Sequence, residues 1–144
     1  MPEGVADRIA LRTQGLCIAH AARSIVHAVS FTARYGELLA ITGPNGAGKT
    51  TLTKAMLGLM THSGTVEIQG RALSSLSAHE RARAIAYVPQ RSATMAAVSV
   101  WDVVAQGRYA YRYTERARQA QAAIARALAD TEIAELSRRT FHTL

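Results

Sequence analysis

The sequence predicts an α/β fold built around a phosphate-binding loop. Residues 43–50 match the pattern G-x-x-x-x-G-K-[ST]. This loop lies between residues 38–41, an apolar segment typical of a short buried strand, and residues 51–57, a segment typical of a helix. With 144 residues, of which 49% are hydrophobic and 19% charged, the chain is long enough for one globular domain and lacks a disordered composition.

The phosphate loop supplies three kinds of group that bind a polyphosphate. Its glycines let successive backbone N–H groups point inward at an anion, and the following helix adds its positive N-terminal end. Lys49 offers an ammonium to the terminal phosphates, and Thr50 offers a hydroxyl to magnesium. A glycine-rich turn that binds nothing is the alternative, but a chance match arises in roughly one sequence of this length in a few hundred. The residues predicted to hold the nucleotide are Gly43, Pro44, Asn45, Gly46, Ala47, Gly48, Lys49, Thr50 and Thr51.

Strands are predicted on both sides of the loop. Those near residues 8–12, 25–32 and 37–41 should form a small antiparallel layer that leads into it. After the loop, residues 65–68 alternate apolar and polar side chains and end at Gly70, which predicts one more strand.

The first helices are predicted from their end signals. The helix after the phosphate loop should stop at Gly58. Ser77 and Glu80 form a capping-box pattern, which predicts a short helix there, and residues 84–88 should follow as a strand.

The last third of the chain is predicted to be helical. Ser99 could cap a helix that starts at Val100, and Thr114 should cap a long alanine-rich helix that ends near Ala129. Residues 133–136 should add one short turn. One face of the long helix carries Ala117, Ala120, Ile124 and Leu128.

Several motifs together resemble one family. The loop reads Gly-Pro-Asn-Gly-Ala-Gly-Lys-Thr-Thr over residues 43–51, with Val-Ser-Phe at residues 29–31 and Gly-Glu at residues 36–37 before it. About forty residues after the loop lysine, residues 86–90 read Ala-Tyr-Val-Pro-Gln. At this spacing the motifs resemble the nucleotide-binding subunit of an ABC transporter, over residues 9–144.

This resemblance implies a P-loop NTPase fold of the ABC type that binds ATP with Mg²⁺. Residues 1–98 would hold the antiparallel β layer, the phosphate loop and the glutamine loop, and residues 99–144 the start of the helical subdomain. Lys49 and Gln90 would be the catalytic residues. The amide oxygen of Gln90 would contact magnesium or the attacking water and pass nucleotide state to a membrane partner, with a polar loop residue as the alternative.

The resemblance also places His20 where the family stacks an aromatic ring on adenine. Tyrosine is commoner at that position, and an imidazole offers less area for stacking. A solvent-facing histidine at the end of a strand is the alternative interpretation.

A further resemblance concerns the solute. Residues 100–109 look like the segment of iron-complex importers, for haem, siderophores and corrinoids, in which an apolar helix ends in Gly-Arg. This helix could serve only for packing. Alternatively, its apolar side chains could form a shallow surface for a coupling helix of the membrane subunit: Val100, Trp101, Val103 and Val104.

Two parts of the family's catalytic machinery do not occur in the sequence. No apolar strand ends in Asp-Glu, because Asp102 lies within a predicted helix and Asp130 and Glu132 follow one. The Leu-Ser-Gly-Gly-Glu signature is also absent. We therefore expect a chain truncated before the signature and the Walker B strand. In this fold, strands from the second half would lie between the strand that leads to the phosphate loop and the strand that leads to Gln90. Without them we expect unpaired, aggregation-prone sheet edges, and folding to a stable monomer is doubtful.

Composition excludes several other classes of protein. No apolar run reaches the roughly 20 residues that span a bilayer, the N-terminus lacks a secretion signal, and a single Cys17 cannot form an internal disulfide. The net charge of +7 could indicate nucleic acid, but 15 of the 17 cations are arginines scattered along the chain without a recognition motif. No nucleic-acid partner is predicted.

The leading hypothesis is an ATP-binding subunit of an importer, peripheral on the cytoplasmic face of the cell membrane. Its partners would be transmembrane permease subunits, and the complete family member would hydrolyse ATP as a homodimer. The chain itself is expected to be inactive as an ATPase. The alternatives are a non-catalytic nucleotide-binding module and a non-functional fragment.

Overall fold

The computed structural model of the protein describes residues 8–20, 23–90 and 97–143. The chain divides into two compact units after Ile85. In the described part of the chain, no helix is long and apolar enough to cross a membrane.

The first unit is built on a four-stranded antiparallel sheet. The strands are β1 (Ile9–His20), β2 (Arg23–Arg34), β3 (Ser63–Ile68) and β4 (Arg71–Ala72), in the order β2-β1-β3-β4. The strands predicted before the loop near residues 8–12 and 25–32 are thus confirmed and are longer than predicted, and the strand predicted at residues 65–68 is confirmed as β3.

Two helices complete the first unit: α1 (Lys49–Met56) and α2 (Ala78–Ala84). The predicted stop of α1 is confirmed at Gly58, which has a φ of +70° and donates its N–H to the Ala55 carbonyl at 2.9 Å. The predicted capping box of α2 is also confirmed, since Ser77 and Glu80 bond each other's backbone N–H.

The core of the first unit lies between β1, β2, β3 and α1. Leu16 and Ile18 of β1 are completely or almost completely buried there, together with Leu52 and Ala55 of α1. Thr13 is a buried polar residue of β1, and its hydroxyl donates to the Val29 carbonyl and accepts from the Phe31 N–H. Because those bonds satisfy the hydroxyl, its burial carries little cost. The sheet and α1 therefore fix the position of the phosphate loop between them.

The strands predicted at residues 37–41 and 84–88 are wrong. The first segment has no regular structure, and in the second α2 continues to Ala84 before the chain becomes irregular. A strand requires a neighbour to pair with, and neither segment pairs with any strand in the described residues. Leu38 is 96% exposed and Val88 is 90% exposed. The sequence analysis expected these segments to lack a pairing strand, and neither has one among the described residues.

The second unit contains α3 (Val100–Gln106) and α4 (Ala120–Asp130), with short 3₁₀ turns at Tyr109–Tyr111, Glu115–Gln119, Ala134–Leu136 and Phe141–Thr143. Its core is formed by Val100, Ile124 and Leu128, which are at most 5% exposed. Of the face predicted for the long helix, Ile124 and Leu128 are buried in α4, whereas Ala117 lies before α4 in a 3₁₀ turn. Of the two interpretations of the Val100 segment, packing is the one that the structure supports, because Val100 lies inside this core and Trp101 and Val104 pack against it.

The predicted N-cap of α3 is confirmed, and the predicted N-cap of α4 is wrong. Ser99 caps α3 as predicted, and the cap is a box in which Asp102 accepts from the Ser99 N–H at 3.3 Å. Asp102 is thereby accounted for as a capping residue. The prediction for Thr114 is wrong: its hydroxyl donates to the Tyr111 carbonyl, residues 115–119 form a 3₁₀ turn, and α4 begins only at Ala120.

Candidate functional site

The phosphate loop has the backbone shape that its glycines allow. Gly43, Gly46 and Gly48 have φ angles of +150°, +83° and +88°. Gly48 is the N-cap of α1 in the left-handed conformation, which costs an L-residue about 1–2 kcal/mol. A Cβ at Gly48 would also lie 2.9 Å from Cγ2 of Ile25. The turn from loop to helix therefore requires glycine for two independent reasons.

The Lys49 side chain donates hydrogen bonds to the backbone of its own loop. Its Nζ donates to the Gly43 carbonyl at 2.7 Å and to the Pro44 carbonyl at 2.8 Å. The Ala47 N–H donates to the same Pro44 carbonyl at 3.2 Å, which tightens the turn. An ammonium has three donors, so its charge can be shared between these carbonyls and an anion. The loop thus holds its only cation next to the backbone that would surround a phosphate.

The N-terminus of α1 faces this loop without a competing anion. No side chain caps the helix, and its first turn contains no acidic residue. The Leu52 N–H closes the first turn on the Gly48 carbonyl at 2.8 Å. Free N–H groups at a helix start, together with the helix dipole, bind anions. Thr50 lies exposed in this first turn.

A groove next to the loop contains residues that the sequence analysis missed. It has a volume of about 240 Å³, and β2 forms one side of it with Ile25, Val26, His27 and Val29. Gly48 and Lys49 also line this groove. The β2 residues lie 20 to 24 positions before the loop lysine, and only the fold brings them to it. No local pattern in the sequence could have identified them.

The described geometry does not test the other two predicted site residues, His20 and Gln90. His20 is the last residue of β1, paired with Arg23 of β2, and its side chain lies outside the described part. Gln90 is exposed, belongs to the second unit, and precedes residues 91–96, which are outside the described residues. Both roles stay predictions.

A metal ion would find few protein ligands in this part of the chain. Across residues 8–20, 23–90 and 97–143, no three His, Cys, Asp or Glu side chains are close enough to hold a metal. Cys17 is a free thiol whose sulfur accepts the Ala28 N–H at 3.1 Å. The donor set at the loop is one threonine hydroxyl, which suits a magnesium ion held mainly by phosphate oxygens and water.

Comparisons with known proteins agree with this geometry. The sequence profile of the ABC transporter family matches residues 26–144. The chain is 35% identical to a hemin import ATP-binding protein, HmuV, of Streptomyces coelicolor over 144 residues, covering 99% of this chain and 51% of the relative. It is 36% identical to a cobalamin import ATP-binding protein, BtuD, of Halobacterium salinarum, covering 93% of this chain and 34% of the relative.

A solved structure gives the same result at the level of the fold. An inward-facing metal-chelate type ABC transporter superposes with a TM-score of 0.71 at 27% sequence identity, covering 95% of this chain and 50% of the matched chain. The chain thus spans about half the length of the HmuV relative and of the matched structure.

Proposed function

The chain belongs to the ABC transporter family, and from this premise we propose that its phosphate loop binds ATP with Mg²⁺ as part of an importer for an iron complex. The observation that carries the proposal is the loop itself. Three glycines at positive φ, an uncapped helix start and Lys49 form one cradle for an anion.

Each loop residue has a role in this proposal. Lys49 would exchange one of its two backbone carbonyls for a terminal phosphate oxygen, and the backbone of residues 43–48 would enclose the β-phosphate. The hydroxyl of Thr50 would be a ligand of magnesium, and Thr51 would extend the set of N–H donors. Magnesium held there would neutralise charge on the terminal phosphates. Gln90 would be a second contact to the metal or to the attacking water.

The nucleoside end of ATP would lie toward β2. The groove beside the loop has apolar walls at Ile25 and Val29, which suit a sugar or a base better than another charged group. His20, at the end of β1, would stack on the adenine ring.

The proposed solute and partners follow from the named relatives. These relatives import hemin and cobalamin by name, and the segment that ends in Gly107 and Arg108 also resembles importers of iron complexes. We therefore propose transmembrane permease subunits as partners, a homodimer in the complete protein, and a position on the cytoplasmic face of the membrane.

A second candidate function is nucleotide binding without catalysis. The sequence contains neither an Asp-Glu pair after an apolar strand nor the family's signature motif. Both are needed to polarise the attacking water and to close the second side of the nucleotide. The isolated chain is therefore expected to show no ATPase activity above buffer. Turnover by the purified chain would contradict this part of the proposal and would leave nucleotide binding intact.

Calorimetric titration with MgATP tests the binding itself. Replacing Lys49 by Ala should weaken the affinity about 10- to 100-fold, since a charge-assisted hydrogen bond contributes about 1.5–3 kcal/mol. The matched control is Lys54→Ala, which removes an exposed lysine from the last turn of α1 and should change the affinity less than about twofold. Equal affinities of wild type and Lys49→Ala, or no binding by the wild type, would overturn the proposal.

A further inference from the structure

An arginine–tyrosine surface lies between α3 and α4 in the second unit. We define it by Arg108, Tyr109, Arg112, Tyr113 and Arg116. The Arg112 guanidinium carbon is 5.2 Å from the ring centre of Tyr109 and 5.0 Å from that of Tyr113. The Tyr109 and Tyr113 side chains are 59% and 80% exposed. This part of the unit thus presents stacked cations and aromatic rings to solvent.

Arg108 and Arg116 are fixed by a second ring. The guanidinium carbons of Arg108 and Arg116 lie 4.3 Å and 6.0 Å from the ring centre of Tyr111. Arg108 also donates from Nη2 to the Arg116 carbonyl at 2.9 Å. These contacts order two long side chains in advance of any binding event, which lowers the entropy that a partner must overcome.

The charge of this surface is not balanced within the described residues. Among residues 107–118 there are four arginines and one acidic residue, Glu115. In the described part of the chain, Arg108, Arg112 and Arg116 form no ion pair, and the shielded Nε of Arg108 has no hydrogen-bond partner. The neighbouring carboxylate of Asp102 is engaged by Ser99 in the α3 cap. The side chains of Arg112 and Arg116 are exposed, so an incoming carboxylate can reach these guanidinium groups.

A cavity of about 430 Å³ opens within this surface. Its lining includes Arg108, Arg112 and Tyr109 with Ala105, Ala117 and Ala120. Asp102 also lines it, and the Oδ2 atom of that carboxylate accepts from Ser99 in the α3 cap. The combination of an apolar wall and guanidinium groups matches a side chain with methylene groups that ends in a carboxylate. A flat lipid surface does not enter a cavity, and the arginines do not line an extended groove of the kind a nucleic-acid backbone follows.

We propose that the arginine–tyrosine surface is a docking site for an acidic polypeptide segment, with an Asp or Glu side chain placed in the cavity between Arg108 and Arg112. Tyrosine and arginine are the residues that most often dominate the energy of protein interfaces. The proposal does not depend on nucleotide binding and is tested without nucleotide.

The probe is a fluorescein-labelled helical peptide of repeated Glu-Leu-Ala units, with the Gln-Leu-Ala peptide as its uncharged analogue. Anisotropy titration of the full chain should show saturable binding of the Glu peptide and at least about tenfold weaker binding of the Gln peptide. Arg112→Gln should weaken binding of the Glu peptide at least about tenfold. The matched control, Arg126→Gln, removes an exposed arginine of α4 outside this surface and should change the affinity less than about twofold.

Tyr113→Ser provides a second variant, because its ring is exposed and its loss should not affect folding; it should also weaken binding of the Glu peptide. Circular dichroism checks that both variants keep their helices. Equal binding of the two peptides, equal affinities of Arg112→Gln and Arg126→Gln, or no binding of the Glu peptide would overturn the proposal. So would binding of phosphatidylserine-containing vesicles or of a single-stranded oligonucleotide in preference to the Glu peptide.

Discussion

Gly48 lies against Ile25: a Cβ built on the glycine would stand 2.9 Å from Cγ2 of the isoleucine. This contact joins the phosphate loop to β2, so the shape of the loop is held by the sheet as well as by its own backbone. Lys49, the next residue, begins α1 and closes the loop through two carbonyls. The anion cradle therefore depends on side chains outside the motif.

Gly48→Ala should be more destabilising than Gly46→Ala. Both glycines have φ above +80°, so each alanine carries a backbone cost of about 1–2 kcal/mol. Only at Gly48 does the new methyl group also meet Ile25, which adds about 1–3 kcal/mol of overpacking. Around Gly46 a Cβ meets nothing within 4 Å. Urea unfolding should therefore rank the variants wild type, Gly46→Ala, Gly48→Ala.

A double-mutant cycle isolates the steric part of this effect. Ile25→Ala removes the Cγ2 atom, so in the Gly48→Ala background it should restore at least about 1 kcal/mol relative to additivity. Combined with Gly46→Ala, the same change should be additive. Additivity in both backgrounds would show that the loop is not held against β2 in the way described.

Glu80 should make the protein more sensitive to acid. The backbone N–H of Ser77, then its hydroxyl and the Arg71 guanidinium, lower the pKa of Glu80 from 4.5 to about 2. Because the pKa is lower in the folded protein, the stabilisation is complete above about pH 4.5 and is lost as the pH falls toward about 2. The urea midpoint of the wild type should thus fall between those values more steeply than that of Glu80→Gln.

The control for this prediction is Glu135→Gln, which removes an exposed carboxylate from the second unit. It should leave the pH dependence of the urea midpoint close to that of the wild type. Parallel pH profiles for the wild type and Glu80→Gln would mean that the capping box of α2 contributes nothing that depends on charge.

Local signals predicted the parts of the fold that local interactions stabilise. The capping box at Ser77, the N-cap at Ser99 and the helix stop at Gly58 depend on residues within four positions, and all three are found. At Thr114 the same type of signal was misleading, because the hydroxyl bonds the Tyr111 carbonyl and the turn that follows is 3₁₀. The Thr114 hydroxyl could bond either to the N–H groups of a following helix or to the Tyr111 carbonyl. The local sequence does not show which of the two it prefers.

Contacts between distant segments could not be predicted from the sequence. The loop motif identified residues 43–50, but the groove formed by Ile25 and His27 depends on the register of β2 against β1 and on its distance from α1. Similarly, the apolar run at residues 38–41 indicated a strand, but the segment has no pairing neighbour among the described residues and is irregular.

The exposed apolar segments should drive self-association of the isolated chain. Leu38 and Val88 are 96% and 90% exposed, and among the described residues no backbone–backbone hydrogen bond involves residues 38–41 or 86–89. Unpaired backbone and apolar side chains together form the type of edge that pairs with other chains. Combining Leu38→Ser with Val88→Ser should make concentration-dependent association, measured by sedimentation velocity, weaker than in the wild type. Their effect on the free energy of unfolding should stay below about 0.5 kcal/mol, because both side chains already lie in solvent.

Leu59→Ser is the matched control for these substitutions. Leu59 is 64% exposed but follows the C-terminal end of α1, outside the two unpaired segments. If apolar exposure alone caused association, the control would reduce it as much as the paired substitutions do. If backbone without a pairing strand is also required, Leu59→Ser should associate nearly as the wild type does. Association that is unchanged in the Leu38→Ser, Val88→Ser protein would show that neither segment is the contact.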